Sequence, residues 1–214
     1  MTEPLRDPVG RVALTYDDGP HPTLTPQLLD ILDTYDAPAT FFVLGSCAAE
    51  HPEAVRREID RGDAIGNHTW GHLKLESLTD DGIRVEVEKT QAVLEDLGAT
   101  VVLFRPPYNS HDPDDDVILR AEGLTPTIWS YRADARDWED PSGQGKPADE
   151  VCSFVVKHAR SGDMVLLHDR LVGSVEATPC IIEGLRRRGL EPGRVGPAPG
   201  PSAQNDGSWA RVIP

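Results

Sequence analysis

The 214-residue sequence has few basic side chains and no long apolar run. Its 21 Lys and Arg stand against 36 Asp and Glu, which gives a formal net charge of −15. Nucleic acids and anionic membranes are bound by clustered basic residues that neutralise phosphate, so this charge argues against both as partners. Charged residues and prolines interrupt every hydrophobic run well before the roughly 20 apolar residues of a transmembrane helix, so we expect no membrane insertion.

Cysteine is also scarce. Cys47, Cys152 and Cys180 are too few and too scattered for a disulfide scaffold or a cysteine-based zinc cluster, so we expect them to pack as small buried side chains. A bridge between Cys152 and Cys180 is the alternative for an exported protein. Residues 1–10 lack the basic and apolar segments of a signal peptide. This predicts a cytoplasmic protein for the chain as written, or a secreted or cell-wall-associated one whose leader has been removed.

Three common signatures of enzymes are missing as well. The sequence has no Gly-x-Ser-x-Gly, no Gly-x-x-x-x-Gly-Lys, and no Gly-x-Gly-x-x-Gly after its first predicted strand. Their absence removes the commonest serine hydrolases, nucleotide triphosphatases and NAD-dependent enzymes from consideration.

Apolar and amphipathic segments alternate along the chain. Short β-branched or aromatic runs predict buried parallel strands at residues 12–16, 40–44, 64–67, 101–104, 124–129 and 164–167. Apolar residues at three-to-four spacing predict helices over residues 23–35, 48–61, 79–97, 113–122, 148–160 and 174–188. This alternation predicts one α/β domain over residues 1–214, with a parallel sheet that is doubly wound or closed into a barrel. From about residue 191 the Pro- and Gly-rich composition predicts a C-terminal tail.

Polar clusters follow the predicted strands, where parallel α/β proteins place their active sites. Asp17 and Asp18 follow the first strand, and two adjacent carboxylates in a semi-buried site repel each other unless a cation intervenes. His68 and His72 follow the third strand, four residues apart, and Gly71 gives the backbone between them freedom to bring both rings to one ion. One Asp and two His leave coordination positions open, as in catalytic zinc sites. The sequence therefore predicts a divalent-metal site with a spare aspartate as general base.

The later clusters offer acid–base chemistry. Arg105 follows the fourth strand and can hold the base aspartate ionised. His168 ends the sixth strand and can protonate a leaving group, with Asp137 or Asp134 setting its tautomer. Zinc suits two His and one Asp readily, and cobalt, nickel or manganese are compatible with the same ligands. Since such an ion lowers the pKa of a water molecule, the pattern predicts metal-assisted hydrolysis.

Taken in order, these motifs resemble those of the NodB-homology polysaccharide deacetylases, the fourth family of carbohydrate esterases. The five blocks span residues 15–169: Thr-Tyr-Asp-Asp-Gly-Pro, Asn-His-Thr-Trp-Gly-His, Arg-Pro-Pro-Tyr, Asp-Ala-Arg-Asp-Trp and Leu-His-Asp. The resemblance implies a distorted, incomplete (β/α) barrel of about seven parallel strands. It also implies the removal of acetyl groups from N-acetylglucosamine-containing glycans such as chitin, chitooligosaccharides or peptidoglycan.

The resemblance further implies a role for each motif residue. Asp17 would be the catalytic base, oriented by Arg105. The metal ligands would be Asp18, His68 and His72. The backbone N–H of Tyr108 would stabilise the oxyanion, and His168 would be the general acid with Asp137 as its partner. Trp138 and Leu167 would make apolar contacts with the substrate.

Two positions depart from the family pattern. Tyr16 stands where Phe is commoner, which we expect to be tolerated if its hydroxyl finds a partner. Asn109 stands where Gly is frequent, and Asn is the residue that best replaces Gly in a left-handed turn.

Other functions share parts of this pattern. Acetylxylan esterase activity and the hydrolysis of a small acylated metabolite by an intracellular amidase need the same residues. Two His and one carboxylate also form the iron site of non-haem oxygenases, but that reading leaves Asp17, Arg105 and His168 without a function. A carbohydrate-binding protein on an inactive scaffold would not need an intact acid and base. We expect a monomer whose partner is an acetylated glycan.

Overall fold

The structure, a computed structural model, describes residues 10–142, 144–197 and 210–214. Its strands are β1 (Gly10–Asp17), β2 (Thr40–Val43), β3 (Ala64–Asn67), β4 (Leu103–Phe104), β5 (Thr125–Pro126), β6 (Met164–His168), β7 (Leu190–Pro197) and β8 (Ala210–Ile213). Its α-helices are α1 (Leu24–Thr34), α2 (Gly45–Glu50), α3 (Pro52–Asp60), α4 (Asp80–Asp96), α5 (Pro113–Ala121), α6 (Ala148–His158) and α7 (Val172–Arg187).

Strands β1 to β7 are parallel and form most of a barrel. The ladder runs β5-β4-β3-β2-β1, and β6 pairs with the second half of β1. Strand β7 pairs with the first half of β1, and β8 is antiparallel to β7. No ladder joins β5 to β6 in the described ranges; there the Ser130 N–H donates to the Met164 carbonyl at 2.9 Å. The predicted distorted, incomplete barrel is therefore confirmed.

Side chains alternate between the two faces of the strands and so build two apolar layers. The small inner cluster is formed by Ala13, Phe42, Leu103, Met164 and Val195. The larger outer cluster joins the other face of the sheet to the helices and contains Leu14, Tyr16, Val165 and Leu167. The Tyr16 hydroxyl lies 2.9 Å from Thr178 Oγ1 on α7, so this departure from the family pattern is satisfied. Burial on both faces explains the continuous apolar runs of the sequence.

Two predicted segments fold differently from the prediction. The helix predicted over residues 48–61 is two helices, α2 and α3, because Pro52 has no N–H and disfavours helical backbone at His51. His51 accordingly lies at φ −132° and ψ 56°. The tail predicted from about residue 191 begins as strand β7, which is mostly buried between β1 and β8. The rest of that predicted tail, residues 198–209, lies outside the described residues.

Cys152 on α6 and Cys180 on α7 form a disulfide, so the expectation of simple packing is wrong for these two residues. Cys47 is a free, partly buried thiol. In the described part of the chain, we find no helix with both the length and the apolar character needed to cross a bilayer.

Candidate active site

Most of the predicted site residues line one pocket of about 500 Å3 at the carboxyl ends of the strands. The predicted residues in its lining are Asp17, Asp18, His68, His72, Tyr108, Trp138 and His168. The lining is completed by Pro106, Trp129, Leu166, Arg170 and Leu171. Strands β1, β3, β4 and β6 thus bring residues that are far apart in sequence to one rim, as parallel barrels do.

Asp18, His68 and His72 form a compact cluster. The Oδ1 atom of Asp18 lies 3.3 Å from Nε2 of His68 and 3.1 Å from Nε2 of His72. This Oδ1 is buried and has no hydrogen-bond partner among the described residues. Burial alone would raise the pKa of Asp18, but the imidazoles of His68 and His72 hold that pKa well below its usual range. An unpartnered carboxylate oxygen facing two ring nitrogens fits a divalent cation.

The tautomer of His68 is set by a backbone carbonyl. Its Nδ1 lies 2.6 Å from the carbonyl oxygen of Arg105, inside the protein. A carbonyl can only accept, so Nδ1 carries a proton and Nε2 is the ring nitrogen left to face the cluster. A metal-ligating imidazole needs this arrangement.

The loop after β3 is shaped by polar side chains. The Asn67 side chain accepts a hydrogen bond from the Thr69 N–H at 2.9 Å, and it donates to the Val87 carbonyl on α4 at 3.0 Å. Thr69 and His72 adopt left-handed backbone, at φ 68° and 58°. The turn that we expected Gly71 to provide is therefore made by these two residues.

Asp17 is joined to a fully buried guanidinium. Arg105 Nη1 donates to Asp17 Oδ1 and to Thr15 Oγ1, both at 2.7 Å, and its Nε donates to the Thr127 carbonyl at 3.2 Å. The guanidinium also lies 3.9 Å from the centre of the Phe42 ring. Burial lowers the pKa of Arg105, and the carboxylate of Asp17 opposes that shift. The other oxygen of Asp17, Oδ2, lies 3.9 Å from Nε2 of His68 and so faces the cluster of Asp18, His68 and His72.

His168 is held by Asp137 on the other side of the pocket. Its Nδ1 lies 2.8 Å from Asp137 Oδ1, and its backbone N–H donates to Asp137 Oδ2 at 2.9 Å. The hydroxyl of Ser174 on α7 donates to the same Oδ2. Burial lowers the pKa of His168, but the Asp137 carboxylate outweighs it, with smaller effects of the pocket carboxylates, and raises that pKa to about 9.

Asp134 was the other candidate partner of His168, and its carboxylate is used elsewhere. It accepts hydrogen bonds from the Trp129 indole N–H at 2.9 Å and from the Arg136 N–H at 2.8 Å. Trp138 packs edge-on against His168, with the ring centres 5.4 Å apart.

The loop after β4 carries Tyr108 and Asn109, which both adopt left-handed backbone, at φ 59° and 54°. Asn109 thus takes the conformation expected of it. The Tyr108 ring is 62% exposed and lies 4.5 Å from the His72 ring. The Asn109 side chain donates to the Tyr131 hydroxyl at 2.8 Å, which ties this loop to the segment after β5.

Leu167 is the one predicted substrate contact that does not line the pocket. It is fully buried in the outer core, and Leu166 lines the pocket in its place. The reason is the two-residue period of a strand, which puts Leu166 on the same face as His168. That alternation is readable in the sequence. Trp129, Arg170 and Leu171 were missed because they lie in loops without a repeating pattern.

Asp169 lies behind the pocket, on the opposite face of the chain from His168. Its carboxylate is fully buried and accepts a hydrogen bond from the Thr25 hydroxyl on α1. Burial raises the pKa of Asp169 to about 7. Gly19 packs directly on this carboxylate, so a side chain there would collide with it. Asp169 therefore supports the loop that carries Asp17 and Asp18.

The fold and the site are those of an α/β-barrel hydrolase, with a carboxylate–imidazole cluster flanked by a buried Asp–Arg pair and an Asp–His pair. Comparison with known proteins narrows this class. Residues 6–127 match the family model described as polysaccharide deacetylase. The chain therefore belongs to the polysaccharide deacetylases of the NodB-homology type, hydrolases that release acetyl groups from glycans.

Individual proteins that are similar to this chain are members of the same family. The chain is 37% identical over 158 residues to a peptidoglycan-N-acetylglucosamine deacetylase of Bacillus cereus, covering 74% of this chain and 72% of that protein. It is 36% identical over 182 residues to a chitooligosaccharide deacetylase of Rhizobium leguminosarum bv. trifolii, covering 84% and 80%. Among solved structures, a family 4 carbohydrate esterase from Streptomyces lividans in complex with acetate superposes with a TM-score of 0.81 at 30% identity, covering 95% of this chain and 97% of that one.

Proposed function

We propose that this deacetylase hydrolyses the acetamido group of N-acetylglucosamine-containing glycans, with Asp17 as base and His168 as acid beside one divalent ion. The observation that carries the proposal is the placement of two bonded pairs, Asp17 with Arg105 and His168 with Asp137, in one pocket with the metal-ligand cluster. Relatives named as deacetylases of peptidoglycan and of chitooligosaccharides support this class of substrate.

Asp18, His68 and His72 would hold the ion. Zinc suits this ligand set readily, and cobalt, nickel or manganese are alternatives. When bound, the ion would polarise the acetyl carbonyl and lower the pKa of a water molecule.

Asp17 would take the proton of the attacking water. Arg105 binds Oδ1 and fixes the carboxylate in the barrel, which leaves Oδ2 facing the cluster of Asp18, His68 and His72. We assign the backbone N–H of Tyr108 to the negative charge that develops on the acetyl oxygen, because this residue lines the pocket in a left-handed turn.

His168 would supply a proton to the departing nitrogen. Its Nδ1 is committed to Asp137, so Nε2 is the nitrogen that remains for substrate. A pKa of about 9 keeps this imidazole protonated at neutral pH. An amine leaves only after protonation, whereas an alcohol depends on it less, so the pair with Asp137 favours N-deacetylation over acetylxylan esterase activity.

The test is acetate release from chitooligosaccharides, peptidoglycan, acetylxylan and small acyl-amines, with protein stripped of metal and reloaded with each candidate ion. Asp17→Asn and His168→Gln should each lower kcat by about 10²–10⁴-fold while bound metal stays at the wild-type level. Asp134→Asn is the matched control, since that carboxylate lies outside the pocket lining and should leave kcat near wild type. Wild-type protein that releases no acetate from any glycan would refute the proposal. Turnover of monomeric acyl-amines alone would favour the small-metabolite amidase.

The Cys152–Cys180 disulfide supports a site of action outside the cytoplasm, because disulfides persist in oxidising compartments. Thiol alkylation of protein taken from its native cell, followed by mass spectrometry, should show both cysteines protected. Two alkylated thiols would favour a cytoplasmic enzyme.

A further inference from the structure

Arg170 is a cation in the pocket to which the catalytic roles assign nothing. It follows His168 and Asp169 at the end of β6, lines the pocket, and has a side chain that is 55% exposed. Its Nη1 atom lies 3.9 Å from Oδ2 of Asp18, which is too long for a hydrogen bond. Among the residues that the structure describes, no other group pairs with this guanidinium.

The charge of Arg170 is not offset by the rest of the pocket. Asp17 is paired with Arg105, Asp18 faces His68 and His72, and Asp137 is paired with His168. Arg170 is the only Lys or Arg among the described residues that line the pocket. In a protein with a formal net charge of −15, an arginine at the substrate site whose single ion-pair contact is 3.9 Å long can accept an anion.

The charge of Arg170 acts on residues of the β1–α1 loop and of α2. Burial and then the positive charge of Arg170 lower the pKa of His21, which lies in the loop between β1 and α1. The charge also acts on Cys47 at the start of α2.

We propose that Arg170 makes the enzyme selective for N-acetylated glycans that carry a carboxylate close to the acetamido group. A guanidinium presents several N–H donors in a planar fork and pairs with a carboxylate through two parallel hydrogen bonds. Because Nη1 lies so close to the metal-ligand Asp18, a bound carboxylate would belong to the sugar whose acetamido group reacts or to the sugar beside it. This inference rests on the proposed function and specifies the substrate class.

The competing role for Arg170 is purely internal, as a weak ion pair that stabilises Asp18. At 3.9 Å and with half of its side chain in solvent, such a pair contributes little to stability. The two roles differ in what they predict. If Arg170 only forms an internal ion pair, its loss would alter metal binding and so change the activity on every substrate by the same factor. If Arg170 recognises a carboxylate, its loss would change the preference between acidic and neutral glycans.

The test compares three oligosaccharides: neutral chitotetraose, an oligomer in which every second amino sugar bears a carboxylate on an ether arm, and an oligomer of N-acetylglucosamine alternating with a uronic acid. Arg170→Gln should lower the kcat/KM of the preferred acidic oligomer relative to chitotetraose by about tenfold, as expected for one half-exposed charge-assisted pair. Converting the carboxylates of that oligomer to amides should reduce the preference of the wild type by the same factor. The same conversion should leave the preference of Arg170→Gln unchanged. A response to the uronic-acid oligomer places the carboxylate on the neighbouring ring, because a uronic acid has no acetamido group. For the other acidic oligomer, mass spectrometry of the product shows whether the deacetylated sugar is the one that bears the carboxylate or its neighbour.

Arg132→Gln is the matched control, because the Arg132 side chain is also 55% exposed and lies outside this pocket. It should keep the wild-type preference. Equal losses on neutral and acidic oligomers in Arg170→Gln, or a fall in bound metal that accounts for the loss, would overturn the inference. Calorimetry of the same oligomers binding to metal-loaded Asp17→Asn protein tests carboxylate recognition by Arg170 separately from the proposed deacetylation. A preference for acidic oligomers that disappears with Arg170 would stand even if no acetate were released.

Discussion

Glu58 offers a sharp test of the packing because a carboxyl group occupies a place in the apolar core. It lies on the buried face of α3 together with Ala54 and Val55, and its side chain is fully buried. Neither of its carboxyl oxygens has a hydrogen-bond partner among the described residues. Burial raises the pKa of Glu58 well above its usual value, and the charges of Asp169 and Asp63 raise it further. The folded protein therefore holds Glu58 in its neutral form.

Replacing this carboxyl with an apolar side chain of similar length should stabilise the protein. An unpartnered buried polar group costs about 1–3 kcal/mol, so Glu58→Met should raise the free energy of unfolding by about 2 kcal/mol at pH 5. For a domain of this size, that corresponds to about 4–8 °C in melting temperature. Glu58→Gln keeps an unpartnered polar group and is the control for loss of titration alone.

The sign of the pH dependence follows from the raised pKa of Glu58. Above about pH 4.3 the unfolded chain releases this proton while the folded protein keeps it, so the wild type loses stability as pH rises toward the folded pKa. The gain of Glu58→Met over wild type should therefore be larger at pH 8 than at pH 5. Urea unfolding at both pH values, with unchanged m-values, measures this difference and cancels the other titrating groups. A less stable Met variant, or a gain independent of pH, would refute the reasoning.

Three further predictions concern the site and its support. Asp137→Asn should lower the pKa of His168 from about 9 by removing its anionic partner, so the alkaline limb of the kcat–pH profile should move to lower pH; an unmoved limb would argue against His168 as the acid. The Cys152–Cys180 bridge joins residues 28 apart, so replacing both with Ser should cost about 3–4 kcal/mol in urea unfolding, and an unchanged midpoint would contradict this. Chelation should lower the melting temperature of the wild type, and added zinc should restore it. The melting temperature of Asp18→Asn should change with neither treatment; a change as large as that of the wild type would place the ion elsewhere.

The sequence predicted the strands with continuous apolar runs well. β1, β2, β3 and β6 lie within two residues of their predicted bounds, because β-branched and aromatic residues buried on both faces leave a clear pattern. β4 and β5 are only two residues long, and the chain after β5 instead bridges to β6 through Ser130. β7 was missed because its prolines and glycines are typical of a tail, while its strand conformation depends on pairing with β1.

The site was predictable where each residue is tied to a strand end. Asp17 and His168 close adjacent paired strands, so parallel register alone brings them together. Leu167 was misplaced although alternation along β6 would have selected Leu166. Arg170 and Trp129 could not be found in this way, because their positions depend on how loops close the barrel, and a single sequence carries no local pattern for that.

The burial of Arg105 has a consequence for how this enzyme can change. Its guanidinium fills the barrel beneath the pocket, so the group that orients the base is also part of the core. A substitution that removes the charge of Asp17 leaves a buried cation uncompensated, and one that removes Arg105 leaves a buried anion, at about 3–5 kcal/mol in either case. Losing either residue alone therefore makes the folded protein less stable. Among descendants of this protein, those that have lost the charge of only one of the two residues should be less stable than those that have replaced both with apolar side chains.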